Sequence, residues 1–329
     1  MKYSIIVPVF NRPDEVSELL KSLTLQNRTD FEVVVVEDGS QVTCRKICED
    51  YTSLLPVRYF EKENGGPGPA RNYGAERAAG DWLIILDSDV VLPNNYLQAI
   101  DEELASDDCD AFGGPDRAHP SFTPVQKAIN YAMTSFFTTG GIRGGKKKLD
   151  KFYPRSFNMG IRRSVYQSLG GFSSMRFGED IDLSTRIFEA GYRCRLFPHA
   201  WVWHKRRTDF RKFFKQVHNS GIARIHLTVR HPSTLKLVHF LPAVFTLGCV
   251  ALLIFSLFFP CVGLLLLAYA LIVFVDASFK ERSPWVGLLS ICASFVQLIG
   301  YGTGFLRAAF QRYVLHSGDF EAFKDTFYN

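Results

Sequence analysis

Two groups of acidic residues are the strongest candidates for chemistry in this 329-residue chain. Asp87 and Asp89, in DSD directly after an apolar run, place two carboxylates where both can reach one hard divalent cation. Such a cation would bind a diphosphate; the alternatives are an Asp-rich turn that ends a strand and a phosphoacceptor aspartate. Glu179 and Asp180 begin a helical pattern, with Asp182 one turn further on. Helix capping is the alternative for this group taken alone, because the helix dipole stabilises acids at that end.

Two further segments contribute basic candidates. The run GGPGPARNYG (65–74) is rich in glycine, but it matches neither a dinucleotide fingerprint nor a P-loop, because Pro67 and Pro69 have no backbone N–H for a phosphate and no GK[ST] follows. Arg71, at the start of a predicted helix, is the candidate phosphate contact here, with a solvated helix arginine as the alternative. His204 ends the strand-like WVWH, and a single histidine of this kind is more often structural than a ligand.

The elements that must position these residues alternate between strand and helix. Residues 4–10, 31–37 and 81–87 are continuous apolar runs, as expected of strands buried on both faces of a parallel sheet, and helical patterns cover 14–27 and 69–79. This alternation predicts an open α/β sheet, and ligands bind such sheets beyond the carboxyl ends of the strands. Those three ends carry polar residues that we expect to share one edge: Asn11 and Arg12, Glu37 and Asp38, Asp87 and Asp89.

Composition limits the class of protein. With 47% hydrophobic and 22% charged residues the chain is neither disordered nor collagen-like. The seven cysteines are odd in number and scattered, and Cys44 and Cys48 lack the second pair that a zinc site needs, so free thiols in a reducing compartment are expected. Net charge is +5, but residues 203–236 hold nine Lys or Arg against one acid, Asp209. This concentration favours an anionic partner, either lipid headgroups or a nucleic acid.

The region after residue 236 has the composition of membrane spans. No charged residue occurs in the 39 positions between Lys236 and Asp276, which is enough for two crossings with a hairpin turn near Pro260. A second uncharged run of 24 positions precedes Arg307, and it favours a third crossing, with a re-entrant or interfacial segment as the alternative. A buried soluble helical bundle is the remaining alternative. No signal peptide is recognised at the N-terminus, so the first 200 residues are expected to be cytosolic.

An amphipathic helix is predicted between the two regions, over 209–230. Its apolar residues fall largely on one stripe with cations around it, which is typical of a helix in the headgroup layer; packing on the domain that precedes it is the alternative. The stripe consists of Phe210, Phe213, Phe214, Val217, Ile222 and Ile225. No recognisable module for nucleic-acid binding is present, so lipid is the favoured partner. A Gly-rich basic loop is expected at 140–148.

The motifs together resemble glycosyltransferase family 2, the inverting nucleotide-sugar transferases of the GT-A fold. SIIVPVFNRPDEVSELLKSL, VVVVEDGS, GGPGPARNYG, LDSDVVLP, FNMGIRRSVYQSLGGF and FGEDIDLSTRIFEAGYR carry the resemblance in order and spacing. It implies that Pro8, Asn11 and Asp38 lie around the nucleotide, as part of a donor site with Arg71 and Asp87. The QxxRW motif of processive members is absent, since QVHNSGIAR (216–224) only approximates it.

The resemblance also implies the chemistry. Asp87 and Asp89 would hold Mg or Mn at the diphosphate, with His204 completing the site, and Asp180 would be the general base on the acceptor hydroxyl. Glu179 is assigned to acceptor positioning and helix capping. An inverting transfer agrees with these roles, because the leaving diphosphate needs a cation and an arginine, and a sugar hydroxyl needs a base.

The predicted organisation is a GT-A catalytic domain (1–205), a basic amphipathic interfacial segment (206–236), two to three transmembrane helices (237–306) and a tail (307–329). The predicted function is sugar transfer from a nucleotide-sugar donor to a hydroxyl of a lipid-linked or membrane-presented saccharide, on the cytosolic side of a membrane such as the bacterial inner membrane. Two alternatives stay open: a polyprenyl-phosphate sugar synthase, whose acceptor is the lipid phosphate, and a non-catalytic nucleotide-binding membrane scaffold. The oligomeric state is left open by the sequence.

Overall fold

The computed structural model describes residues 2–140, 152–175 and 177–316. The predicted basic loop at 140–148 lies, apart from Gly140, outside the described residues, as does most of the predicted tail. The strands are β1 (Tyr3–Val9), β2 (Phe31–Asp38), β3 (Val57–Lys62), β4 (Trp82–Leu86), β5 (Val90–Val91), β6 (Ala111–Gly113), β7 (Asp116–Arg117), β8 (Asn158–Arg162), β9 (Cys194–Leu196) and β10 (Val202–His204).

The helices fall into short ones in the first two-thirds of the chain and long ones after it. They are α1 (Pro13–Thr24), α2 (Arg45–Tyr51), α3 (Pro67–Arg77), α4 (Tyr96–Ser106), α5 (Pro124–Thr134), α6 (Phe136–Thr139), α7 (Arg163–Ser168), α8 (Glu179–Glu189), α9 (Phe210–Arg230), α10 (Leu241–Ser256), α11 (Leu264–Glu281) and α12 (Pro284–Tyr313). The described chain divides into two compact units: residues 2–119 with 152–205, and residues 120–140 with 206–316.

The first unit is built on a seven-stranded sheet in the order β3-β2-β1-β4-β8-β6-β9. Strands β3, β2, β1 and β4 are mutually parallel, whereas β8 is antiparallel to both of its neighbours. Every residue of β2 and of β4 is buried, which explains why these runs are apolar at consecutive positions. The predicted α/β architecture with a mostly parallel sheet is confirmed.

Helix α1 covers one face of this sheet with the predicted apolar stripe. Val16, Leu19, Leu20 and Leu23 are all buried in the main core. The helix ends at Thr24, three residues before the predicted end, and Gln26 lies in the turn that follows. There its side-chain amide donates to the carbonyl oxygens of Ser22 and Pro93, so its burial comes from this hydrogen bonding rather than from the helix face.

The strand ends meet as the topology requires. Because β1, β2 and β4 are parallel neighbours, their carboxyl ends bring Asn11, Asp38 and Asp87 to one edge. A separate three-stranded sheet has the order β5-β10-β7. Its first strand, β5, follows β4 directly in the chain. Its antiparallel pairing places His204 opposite Val90, directly after the DSD segment.

The second unit consists of helices, and its long helices pack closely. The predicted amphipathic helix is present as α9, but its apolar stripe is largely covered by protein: Phe213 and Val217 belong to a cluster with Val286 and Ala293 of α12. A side chain at Gly304 of α12 would collide with the α9 backbone, so glycine is required at this crossing. The part of the stripe available to lipid is therefore smaller than expected, with Phe214 among the exposed members.

Three helical segments are long and apolar enough to cross a membrane, by length and composition: Leu237–Ser256, Pro260–Glu281 and Pro284–Tyr313. The first two expose most of their large apolar side chains, among them Val244, Leu253 and Leu271. A bilayer is the solvent in which such a surface is stable. A short 3₁₀ turn at Pro260–Gly263 joins α10 to α11 at the predicted hairpin position.

Candidate active site

Three potential metal ligands converge where β4 and β10 end. Asp87, Asp89 and His204 each offer a ligand atom, and these atoms lie within 4.8 Å of one another. His204 Nε2 is 3.3 Å from Asp89 Oδ1, while its Nδ1 lies 3.8 Å from Asp116 Oδ2. Two carboxylates and an imidazole at this separation fit a divalent cation such as Mg²⁺ or Mn²⁺.

Neighbouring groups hold this cluster in shape. Arg12, which follows β1, donates from Nη1 to Asp89 Oδ2 at 2.7 Å, so that Oδ1 is the oxygen that faces His204. The ring of Phe157 stacks on the imidazole of His204 with centroids 4.8 Å apart. Asp89 and His204 are thus each held in position by a different neighbouring side chain.

Arg71 joins the strand-end cluster to the start of α8. Its guanidinium donates to Asp87 Oδ1 at 2.8 Å and to Glu179 Oε1 at 2.7 Å. The side chain is only 4% exposed and lies over the ring of Phe172. Burial alone would lower the pKa of Arg71, but attraction by Asp87 and Glu179 outweighs it and raises the pKa, so the guanidinium stays charged. The predicted phosphate contact is thus a buried link between two carboxylates.

The two acids at the start of α8 have different electrostatic surroundings. Burial and the adjacent Asp180 raise the pKa of Glu179, although Arg71 opposes this shift. Burial also acts to raise the pKa of Asp180, but Arg155 more than offsets it, and the pKa of Asp180 is lowered. Arg155 Nε donates to Asp180 Oδ2 at 2.5 Å, and the backbone N–H of Ile181 donates to Oδ1. Asp180 is therefore a buried carboxylate that remains ionised, as a general base must be.

The residues assigned to the nucleotide have structural partners of their own. Asp38 accepts hydrogen bonds from Lys62 Nζ and from the backbone N–H groups of Gly65 and Gly66, which fixes the loop before α3. Gly66 has φ 93°, a conformation that favours glycine. Pro8 lies in β1 opposite Val36, two residues before Asp38.

Asn11 braces a neighbouring loop. Its Oδ1 accepts from the backbone N–H groups of Gln41 and Val42, and its own N–H donates to Ser40 Oγ. Asn11 adopts φ 53°, which asparagine tolerates better than most residues. The sequence analysis placed Asn11 at the correct edge, and the structure adds that its side-chain oxygen holds the loop after β2.

Arg155 is the site residue that the sequence analysis missed. It precedes β8 in an irregular segment and matches no motif, and its partner Asp180 lies 25 positions further on. The only signal was a basic residue two positions before the FNMG segment, which taken by itself is not distinctive. Arg12 was noted at the sheet edge, but its ion pair with Asp89 was not expected.

Comparison with known proteins identifies the family. A family model described as Glycosyl transferase family 2 matches residues 4–170, more than half of the chain. The chain belongs to this family. TarS from Staphylococcus aureus, a poly(ribitol-phosphate) beta-N-acetylglucosaminyltransferase, is 42% identical over 93 residues, which are 27% of this chain and 16% of TarS. The pre-mycofactocin glycosyltransferase of Mycobacterium tuberculosis is 29% identical over 241 residues, 70% of this chain and 48% of the relative. The chain thus spans less than half the length of these relatives.

A solved structure supports the fold of this family 2 member. The mannosyltransferase PcManGT from Pyrobaculum calidifontis, in complex with GDP-Man and Mn2+, aligns with a TM-score of 0.60 at 17% identity. The alignment covers 94% of this chain and 88% of PcManGT, so it extends through the C-terminal helices. The predicted GT-A fold is confirmed.

Proposed function

We propose that this chain transfers a sugar, with inversion, from a nucleotide-sugar donor to a hydroxyl of a lipid-linked or otherwise membrane-presented saccharide. The observation that carries the proposal is the double ion pair of Arg71, which joins the metal-ligand cluster to the acids of α8. Leaving-group stabilisation and proton abstraction, the two requirements of an inverting transfer, therefore have adjacent residues. The named relatives support a nucleotide-sugar donor, since PcManGT was solved with GDP-Man and TarS is named for N-acetylglucosaminyl transfer.

Each side chain then has one task. Asp87, Asp89 and His204 would hold Mg²⁺ or Mn²⁺, which when bound neutralises charge on the departing diphosphate. Arg71 orients Asp87 and Glu179 and adds a fixed positive charge beside them.

The residues that act on the acceptor, Glu179 and Asp180, lie at the start of α8. Asp180 accepts the proton of the acceptor hydroxyl. The ion pair with Arg155 keeps the Asp180 carboxylate ionised before this transfer. Glu179 positions the acceptor. Its pKa is raised, so Glu179 is protonated more readily than Asp180. Pro8, Asn11 and Asp38 shape the nucleotide side of the edge.

The location follows from the donor. Nucleotide sugars are made in the cytosol, so the first unit lies on that side of the membrane, and the basic residues between Lys205 and Lys236 agree with the positive-inside rule. In a bacterium this membrane is the inner membrane. Membrane lipids and the acceptor are then partners, whereas no nucleic acid is expected.

A panel of nucleotide sugars tests the proposal on the purified full chain in lipid nanodiscs. Release of nucleoside diphosphate and sugar-labelled product are measured with Mn²⁺ or with excess chelator, and with either a lipid-linked saccharide or polyprenyl phosphate as acceptor. We expect one donor to react, only with metal, and only with the saccharide. Transfer to polyprenyl phosphate alone would make the chain a polyprenyl-phosphate sugar synthase. Tight binding of nucleotide with no turnover on any acceptor would make it a scaffold.

A further inference from the structure

We infer that α12 does not cross the membrane but lies along its surface, across the open end of the hairpin formed by α10 and α11. The chain would then have two membrane spans, and residues 307–316 would lie on the same side as Lys236 and Lys280. This inference concerns the second unit alone and does not depend on the proposed function. It replaces the third crossing that the uncharged run before Arg307 favours.

The contacts of the first part of α12 define one end. A Cβ added to Gly287 would lie 2.0 Å from Ser278 Oγ and 2.9 Å from the carbonyl oxygen of Phe274. Ser278 is three residues before the end of α11 at Glu281. Gly287 therefore packs at the end of α11 that is remote from the hairpin turn.

The later part of α12 contacts the matching end of α10. A Cβ added to Gly302 would lie 2.4 Å from the carbonyl oxygen of Pro242, the second residue of α10. Beyond it, the rings of Phe305 and Phe240 have centroids 5.2 Å apart. Gly302 therefore packs at the start of α10, which is also remote from the hairpin turn.

These two contacts decide the orientation. If α10 and α11 each cross the bilayer once, the start of α10 and the end of α11 lie at the same surface. Gly287 and Gly302 are fifteen residues apart, and in a spanning helix they would differ in depth by about 22 Å, at 1.5 Å per residue. They instead contact the same level of the hairpin, so α12 runs roughly parallel to the surface. Between these two glycines, the ring of Phe295 contacts both helices of the hairpin, through Phe245 of α10 and Tyr269 of α11.

The neighbours and dimensions of α12 agree with this orientation. Helix α9 runs alongside it in the same direction, since Val217 meets Gly300 and Gly221 meets Phe305. In the most apolar part of α12, 44% of the residues are buried in protein, against 17% and 11% in the two other candidate spans. Its 30 residues correspond to about 45 Å, well beyond the ~30 Å hydrocarbon layer.

Cysteine labelling of the full chain in intact cells and in inside-out vesicles tests the inference. The background carries Cys194→Ser and Cys292→Ser, because the remaining native thiols except Cys261 are buried. Native Cys261 is exposed in the hairpin turn and reports the side of the membrane opposite to Lys236. With Cys261→Ser added, Arg282→Cys reports the turn before α12, and Leu315→Cys reports the chain after it.

An impermeant maleimide should label Cys261 in intact cells, and Arg282→Cys and Leu315→Cys only in inside-out vesicles. Labelling of Leu315→Cys or of Arg282→Cys on the same side as Cys261, fully or in part, would overturn the inference. Labelling of both variants in intact cells, with Cys261 labelled only in inside-out vesicles, would keep the surface position of α12 and reverse only the orientation of the chain. An epitope tag after Asn329 repeats the measurement without internal substitutions, in case these variants fail to fold. Digestion of the tag by protease on the side opposite to Cys261 supports the surface position, and digestion on the same side as Cys261 contradicts it.

Discussion

The strand-end pair, Asp87 and Asp89, and the helix-start pair, Glu179 and Asp180, use the same chemical groups in opposite ways. The strand-end carboxylates are partly exposed, and both lie within reach of the His204 imidazole. The helix-start carboxylates are buried and held by separate arginines, Arg71 for Glu179 and Arg155 for Asp180. The first arrangement suits a shared cation, whereas the second separates two charges that would otherwise repel each other.

The difference shows that the arginine partners, rather than the acids themselves, set the direction in which each pKa moves. Two buried carboxylates in sequence cannot both stay ionised without compensation. Arg155 forms its hydrogen-bonded ion pair with Asp180, whereas Arg71 divides its ion pairs between Glu179 and Asp87. The result is one acid with a lowered pKa and one with a raised pKa in adjacent positions.

The largest expected effect is at the helix-start pair. Asp180→Asn keeps the shape and one acceptor oxygen but cannot accept a proton, so kcat should fall by about 100-fold or more. Nucleotide-sugar affinity should barely change, as measured by calorimetric titration of the donor. Glu179→Gln is the matched control on the neighbouring position and should cost less in kcat. Near-normal transfer by Asp180→Asn would remove the base from the mechanism, and loss of donor binding would mean that Asp180 belongs to the donor site.

The strand-end pair should respond through the metal instead. Asp89→Asn removes a charged ligand and weakens the ion pair with Arg12, so divalent-dependent activity should be lost while the fold is retained. Activity is measured against Mn²⁺ concentration, and the fold by circular dichroism. If the unmodified chain kept full activity in excess chelator, the strand-end pair would not act through a bound cation, and the proposed difference between the two pairs would be wrong.

Local sequence patterns were sufficient to predict the strands of the sheet. The apolar runs over 4–10, 31–37 and 81–87 correspond to β1, β2 and β4 within one or two residues, and they placed the DSD carboxylates at the correct edge. His204 was placed beside them only through the family resemblance, because the pairing of β10 with β5 joins segments more than 100 residues apart. Arg155 was missed because it matches no motif and its ion pair with Asp180, 25 positions away, depends on how the chain folds.

The uncharged run before Arg307 shows a case in which local composition is not sufficient to assign a membrane span. Composition alone makes residues 284–313 a candidate span, since a helix buried by protein partners and one buried by lipid have the same apolar content. Only the positions of Gly287 and Gly302 against their neighbours separate the two cases.

The pH dependence of kcat sharpens the comparison between the two arginines. Asp180 must be deprotonated to act as a base, so activity falls as pH drops through its pKa, which Arg155 holds low. Arg155→Gln removes the main group that opposes burial and leaves only Arg71 and the Ile181 N–H to lower the pKa of Asp180, so the acid limb of the kcat profile should move to higher pH, by about 1 to 3 units. Arg186→Gln breaks the ion pair with Asp182 on the same helix and is the control that should not move this limb. An unchanged acid limb in Arg155→Gln would assign that limb to another group.

The smallest effect is expected at His204. His204→Ala leaves both carboxylates and the donor diphosphate as ligands, so the Mn²⁺ concentration for half-maximal activity should rise only about tenfold. Maximal activity at saturating metal should stay close to that of the parent chain. Phe157→Leu is the matched variant: it removes the stacked ring but keeps the imidazole, and should shift the metal requirement less than His204→Ala does. If His204→Ala instead abolished activity at every metal concentration, as Asp89→Asn is expected to do, the imidazole would be as essential as the carboxylates. The strand-end site would then depend on all three ligands rather than on its two charges.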